Sequence, residues 1–442
     1  MRLGRCISLC LALLGGSAVS VAAPAEPNVI IHAGSLLAVP GEPAKKNQTL
    51  VIRDGRIVAV RDGFISAAEA GLQGPFELID LSTRFVLPGM IDLHVHLTTE
   101  AAEGEALRVV TRNAADLALV ARGHARETLD AGFTTVLDLG TARAAHADAI
   151  RALKAAIEAG TVSGPRVLSV GSPISTPGSS RTGRFAGEVE AAVGPEGVCS
   201  GPDDCRRAVR EQVALGADVI NFYNTGSLGD LRIVEQAMTP AEMSAVVETA
   251  HALGRKVVAD GHTAAGINAA VRAGADIIDT GPWADAESFR LMKQHGVYFE
   301  PHMHAFVVAV GSSRSGSTTV ADEPESPILK RLRAVLDRPF SAQEAHESGV
   351  PLAYGSDTGI VRHGDNAGDL RELVKIGLTP MQAIQVATLR SAAALGLQAE
   401  IGSLLPGKRA DVIATDRDPF VDVEALGAVS FVMREGHVFK NR

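Results

Sequence analysis

His94 and His96 close the stretch Leu87-Pro88-Gly89-Met90-Ile91-Asp92-Leu93-His94-Val95-His96, an apolar run ending in His-x-His. In an extended strand alternate side chains share a face. Both imidazoles then point the same way, and the spacing suits one divalent ion held at ~2.0–2.1 Å, the distance typical of zinc. The pair also fits two histidines stacked at a strand end without an ion. Tyr354-Gly355-Ser356-Asp357-Thr358-Gly359 puts a carboxylate at another strand end. Asp357 there can ligate metal and take a proton from water that the metal acidifies. It can equally cap the helix that follows. Phe299-Glu300-Pro301-His302-Met303-His304 carries a second His-x-His. His302 falls where a strand end meets the same rim, either as a further ligand or as a partly buried imidazole bonded to backbone. His304 reads as loop or as a supporting residue.

These side chains are far apart in the chain and need a frame to bring them together. Residues 87–400 alternate short apolar strands with Ala/Leu/Glu-rich amphipathic segments. Strands are expected at Gly132–Leu139, Arg166–Gly171, Asp218–Tyr223, Lys256–Asp260, Asp276–Thr280, Tyr298–His302 and Leu352–Gly355, with helices such as Thr239–Leu253 and Pro380–Leu395 between them. Repeated strand-then-helix units imply parallel strands joined by right-handed crossovers. About eight such units predict an α/β protein built on a (β/α)8 barrel, whose chemistry sits at the C-terminal strand ends. Residues 28–86 read as short strands, with Asp54-Gly55 turning a hairpin between two β-branched runs. Ala410–Ala414 and Val429–Met433 have the same texture, with a turn at Arg434–His437. Both termini therefore predict one small β-sandwich, in two parts at 24–86 and 402–442, around a barrel at 87–401.

Composition bounds the function. The 442 residues are 46% hydrophobic and 21% charged, an ordinary globular balance. Net charge is −9 and no long basic run occurs, which argues against a nucleic-acid partner. Aromatics are 4%, too few for a platform that stacks single strands. Arg2 and Arg5, an apolar run from Cys6 to Leu14 and small residues through Val21-Ala22-Ala23 read as a signal peptide, residues 1–23. The apolar run is shorter than the ~20 residues a membrane span needs. A periplasmic or secreted protein, with no membrane partner after cleavage, is expected. Cys199 and Cys205 then remain. In an oxidising compartment two cysteines this close can close a disulfide over a loop; a zinc clip would need two further ligands, and none lies near in sequence.

Pro88-Gly89-Met90-Ile91-Asp92-x-His94-x-His96, Gly132-Phe133-Thr134-Thr135-Val136, Gly355-Ser356-Asp357 and Gly402-Ser403-Leu404-x-Pro406-Gly407-Lys408-x-Ala410-Asp411 follow one another in that order. Together they resemble the amidohydrolase superfamily, in particular its exported prolidase-like and N-acyl-amino-acid-hydrolysing, imidazolonepropionase-like branch. The resemblance spans nearly all of the chain beyond the signal. It implies a barrel that binds one or two divalent ions, zinc or another metal, and hydrolyses an amide or cyclic amide bond. It also implies three departures. The position of the family's metal-bridging, carboxylated Lys falls on Asn221, a neutral amide and a poor bridge between two cations. A ligand of the fifth strand falls on Asp260, with His262 two residues on and able to take over. The ligand of the family's Glu-His-Gly falls on Thr280 in Asp279-Thr280-Gly281.

A reorganised centre on His94, His96, His262 and Asp357, with His302 as compensation, and one tightly held ion is the expectation. A binuclear centre crippled by the loss at Asn221 is the alternative. Tyr223 shares the inward face of Asn221 and is placed either to hydrogen-bond a developing oxyanion or to cap the core. His363 is a substrate contact or a helix cap. Ser179, Ser180, Arg181 and Arg184 form a polar loop that could offer an arginine to a substrate carboxylate. Gly311–Thr319 reads as lid or linker. The expected activity is metal-dependent hydrolysis of a small dipeptide or N-acyl amino acid, with Asp357 and Tyr223 catalytic and a possible homo-oligomer. A cyclic-amide hydrolase or deaminase, or a binding protein that kept the fold and lost the metal, are the rivals.

Overall fold

The structure, a computed structural model, describes residues 28–102, 108, 111–141, 143–177, 196–226, 235–314, 327–336 and 340–442. The expected signal at 1–23, the Ser179–Arg184 loop and most of Gly311–Thr319 lie outside the described residues; Gly311–Arg314 end a helix, Met303–Arg314.

Four strands lead the chain: β1 (Asn28–Leu36), β2 (Lys45–Arg53), β3 (Arg56–Asp62) and β4 (Phe76–Pro88). Then come β5 (Met90–Val95), β6 (Phe133–Asp138), β7 (Arg166–Ser169), β8 (Val219–Tyr223), β9 (Lys256–Thr263), β10 (Ile277–Trp283) and β11 (Tyr298–Glu300). Three strands close it: β12 (Val412–Thr415), β13 (Val429–Arg434) and β14 (His437–Asn441). The first four and the last three form one seven-stranded sheet in the order β14-β13-β12-β4-β1-β2-β3. Its β2–β3 hairpin turns on Asp54 and Gly55, at φ 50° and 69°, the left-handed pair a two-residue turn of matching twist demands. Val29, Ile31, Leu50, Ile52, Val412 and Phe431 pack into a core of their own.

Between these ends, β5-β6-β7 and β8-β9-β10-β11 form two parallel sheets of three and four strands. Helices such as Ala114–Asp130, Pro202–Ala214, Pro240–Ala252 and Ala264–Ala273 cross from strand to strand. Their starts are written locally. Thr239 and Glu242 make a reciprocal capping box ahead of Pro240, which satisfies backbone N–H groups that the first turn leaves unpaired. The molecule is α/β in class. Isolated bridges join the parallel sheets: Ile174 to Phe222, Phe299 to Leu352 and Val95 to Thr358. The strand expected at Leu352–Gly355 is reduced to one of these bridges. Glycine and Pro351 around it leave little extended run to pair, and its backbone instead bonds from Leu93 N to Tyr354 O at 2.8 Å. Ile91, Leu137, Val170, Val219, Val258, Ile277 and Ala353 pack against one another inside these strands. No described helix is long and apolar enough to cross a membrane. Cys199 and Cys205 are joined as a disulfide, with Cα atoms 4.9 Å apart.

Candidate metal centre and active site

His94 and His96 leave the end of β5, where the pairing with β6 shifts register between Asp92 and Val95. Their Nε2 atoms stand 3.2 Å apart. Asp357 comes from the loop after Leu352; its Oδ1 lies 3.3 Å from His94 Nε2 and 3.5 Å from His96 Nε2. His302 follows β11, with Nε2 3.9 Å from Asp357 Oδ2. The His94 ring packs edge-on to both neighbours, with centroids 5.0 Å from His96 and 4.8 Å from His302. Thr280, His302 and Asp357 all adopt left-handed backbone, at φ 75°, 27° and 51°. Non-glycine residues hold such angles only where the surroundings enforce them.

Acceptors fix the tautomers. His94 Nδ1 donates to Asp279 Oδ1 at 2.9 Å. His96 Nδ1 donates to the Gly140 carbonyl at 2.9 Å. His302 Nδ1 faces Glu300 Oε2 at 3.3 Å and Asp279 Oδ1 at 3.5 Å. A carbonyl or carboxylate cannot donate, so each Nδ1 carries a proton, and each Nε2 is the nitrogen that a metal ion would take in place of a second proton. All three Nε2 atoms are thereby turned toward one carboxylate.

Burial and charge agree. Burial alone would push the His94 imidazole down, but Asp279 and Asp357 hold it well above the usual range. Burial likewise opposes protonation of His302, and Glu300 and Asp279 overcome it. Burial would raise Asp357, yet the three imidazoles keep it below the ordinary carboxylate value. Burial and then the Asp279 charge push Glu300 up to about 6, whereas Asp279, facing His94, stays well below its usual value. Glu300 is thus the weaker acid of the pair.

Asp92, buried beneath this group, binds β5 to the loop that carries Asp357. Its carboxylate accepts from His94 N at 3.1 Å, Ser356 N at 3.0 Å, Ser356 Oγ at 2.6 Å and Asn366 Nδ2 at 2.9 Å. Burial lifts its pKa to about 6 against those bonds. Asp138 on β6 holds the next turn, accepting from Leu97 N at 2.8 Å and Gly140 N at 2.9 Å.

The remaining expected residues fall around this centre. His262 is buried, with its Nδ1 bonded to Thr225 Oγ1 at 2.8 Å. The His and carboxylate donors that converge within 4.8 Å among the described residues are His94, His96 and Asp357; His94, Asp279, Glu300 and His302; and Glu100, His124 and His363. His302 joins the His94 group. Burial pushes the His262 pKa down to about 4, and its ring lies near enough for Asp279, His302 and Asp357 to act on its charge. Asn221 is 2% exposed, and its Oδ1 accepts no hydrogen bond among the described residues. Tyr223 is buried at the end of β8, two residues on and on the same strand face. His304 turns away, its backbone N on Asp369 Oδ1 at 3.0 Å. His363 is buried and stacked on His124, with centroids 4.0 Å apart, its Nε2 on the Thr99 carbonyl at 3.0 Å. Asp279, Glu300, Asp92 and Asp138 were not singled out from the sequence as site residues. Their signal was present only as buried-type carboxylates at strand ends.

The donors fit a metal ion. Two ring nitrogens 3.2 Å apart need a cation or a shared proton between them. Ligands ~2.0–2.1 Å from a tetrahedral ion stand about 3.3 Å from each other. Asp357 Oδ1 is buried and accepts no hydrogen bond among the described residues, with both rings beside it.

A model of the amidohydrolase family matches residues 85–439. The chain belongs to that family and is an enzyme of its carbon–nitrogen-hydrolysing class. An ochratoxinase of Aspergillus niger is 31% identical over 438 residues, spanning 93% of this chain and 86% of its own. A solved Xaa-Pro dipeptidase with bound methionine in the active site is 30% identical, with a TM-score of 0.83 over 94% of this chain and 100% of its own. A 5-methylthioadenosine/S-adenosylhomocysteine deaminase of Symbiobacterium thermophilum is 26% identical over 440 residues, 91% of this chain and 89% of its own.

Proposed function

We propose that the protein is a mononuclear metal-dependent amidohydrolase that cleaves a small amide of the dipeptide or N-acyl-amino-acid type. The observation that carries this is the shared orientation of His94, His96 and His302, whose Nδ1 atoms are held by acceptors while their Nε2 atoms face Asp357. These four side chains would hold one divalent ion, zinc being the best match to the donor set. When bound, such an ion acidifies water and polarises an amide carbonyl.

The chain's own residues do the rest. Asp279 and Glu300 set the ring tautomers. Asp357, kept ionised by its three imidazoles, takes a proton and returns it to the departing amine. Tyr223 offers a phenol to the developing oxyanion. Closing the bridges Ile174–Phe222, Phe299–Leu352 and Val95–Thr358 would join the two parallel sheets into a (β/α)8 barrel with these residues at its C-terminal rim. Its ends would pair as a separate sheet domain, at 24–86 and 402–442. The Cys199–Cys205 bond supports an oxidising compartment, and so an exported chain.

Metal analysis and activity before and after chelation test this reading. We expect about one divalent ion per chain, its retention lost in His302→Ala and kept in His262→Ala, and activity lost on chelation and restored by zinc. Full activity in metal-free protein would end the proposal. A one-ion centre also favours a second reading, deamination. Release of ammonia rather than an amino acid from the products would select it.

A further inference from the structure

β6 ends at Asp138, and residues 139–143 lead from it to the helix Ala144–Glu158. This turn is tied on both sides to the segment that carries His96. Before it, Leu139 N donates to the Val95 carbonyl at 3.1 Å, and the Gly140 carbonyl accepts from His96 Nδ1 at 2.9 Å. Beyond it, His146 in the first turn of the helix meets Thr98 Oγ1 with its Nδ1 at 2.7 Å. Arg143 lies three residues from Gly140 and three from His146, so its Cα stands within about 10 Å of both anchors. It belongs to the carboxyl-end rim of the parallel strands, where α/β proteins take their ligands.

Arg143 is half-buried. Its Nε and Nη1 are shut off from solvent and donate to nothing among the described residues. Burial is what acts on its charge, and no carboxylate offsets that effect. Buried donors of a charged group are unfavourable unless an acceptor meets them. The chain around it adds donors. The helix starts at Arg143, whose side chain caps no N–H there, and its first turn holds no acidic residue. The positive end of that helix therefore has no side-chain carboxylate of its own. Two residues earlier, Thr141 is 5% exposed and its hydroxyl has no hydrogen-bond partner. A cation would be repelled from such a place, and a neutral group would leave the charge unmet. A guanidinium presents N–H donors in a fixed plane, and these fit the two oxygens of a carboxylate.

We propose that Arg143 anchors the free carboxylate of the departing amino acid, so that the preferred substrate is an acylated amino acid whose α-carboxylate is unblocked. This rests on the amide-hydrolase reading of the adjoining centre, since dipeptides and N-acyl amino acids both carry that group beside the scissile bond. It adds to that reading a residue that selects against neutral amides of the same shape.

The test uses a non-hydrolysable pair: 2-benzyl-4-oxopentanoate, the ketomethylene isostere of N-acetylphenylalanine, and a counterpart with hydroxymethyl in place of the carboxylate. Each is titrated calorimetrically into the full chain loaded with zinc. The carboxylate is expected to bind ~30-fold more tightly, the effect of one charge-assisted contact with a buried donor. Arg143→Met should cut that gap below ~5-fold and leave the affinity for the neutral ligand nearly unchanged. It should also leave the melting temperature unlowered, since no hydrogen bond is surrendered. A gap under ~5-fold in the unaltered protein, a gap that survives Arg143→Met, an equal loss of affinity for both ligands, or no binding of either ligand each overturns the anchor. Turnover of N-acetyl-L-phenylalanine and of N-acetyl-L-phenylalaninamide is measured in parallel. Failure to hydrolyse either one counts against the hydrolase reading, while the isostere gap still decides the anchor.

Discussion

His363 shows how one residue's surroundings set a measurable property of the protein. Its ring is buried between the Thr99 carbonyl and the His124 ring, and burial, then the nearby His124, push its pKa down to about 3. In the unfolded chain a histidine takes a proton near 6.5. The folded state binds that proton less well, so its contribution to stability is complete above pH 6.5. It is lost as pH falls from there toward 3. Relative to a variant without this ring, the urea midpoint should fall further between pH 7 and pH 4, with on the order of 3 kcal/mol traceable to this residue. His363→Gln should flatten that fall. An identical pH slope in the two proteins would mean that the ring does not carry the effect.

At the scale of elements, the site is a set of strand ends held at fixed separations by groups without side chains. Gly355 is the clearest case: a Cβ there would sit 2.1 Å from Glu300 Oε1 and 2.2 Å from its Cδ. Glu300 Oε1 in turn accepts from His302 N at 3.1 Å. Gly355→Ala should displace Glu300 and loosen His302, lowering stability by about 2 kcal/mol and weakening zinc retention roughly tenfold. Equilibrium dialysis against zinc measures the second effect, and unchanged affinity would separate Glu300 from the metal centre. The sequence revealed the elements unevenly for the same reason. β6, β8, β9, β10 and β13 are runs of β-branched or apolar residues, visible in any short window, and the structure places each within a few residues of expectation. His94, His96, Asp357 and His302 were legible because they sit at such strand ends. Asp92 was not, because what makes it a clamp is Ser356, 264 residues away. Asp279 was noticed only as a neighbour of a missing ligand, although it reaches His94 across 185 residues. His262 is legible by alternation along β9, but the Thr225 hydroxyl that holds its Nδ1, 37 residues earlier, is not.

At the scale of the whole molecule, the seven-stranded sheet must be fixed to the parallel strands, or the strand ends that carry the site would lack a rigid base. Arg166, on β7, makes that junction. Its guanidinium donates to Thr135 Oγ1 at 2.7 Å, to Asp411 Oδ2 beside β12 at 2.8 Å and to Glu435 Oε1 after β13 at 2.8 Å. Burial opposes its charge, but Asp411 and Glu435 outweigh that and hold it protonated. Asp411 is 5% exposed, so removing the arginine alone strands a buried carboxylate, a change that typically lowers stability by ~3–5 kcal/mol. Arg166→Met should lower the urea midpoint accordingly. Removing both charges takes away the attraction together with the desolvation it offsets, and so disturbs the fold less than the sum of the parts. Arg166→Met combined with Asp411→Leu should therefore recover a substantial share of the stability lost by Arg166→Met. If the two losses simply add, the pair is not coupled, and the junction must be carried by the apolar contacts of Val429 and Ile413 with the core beneath.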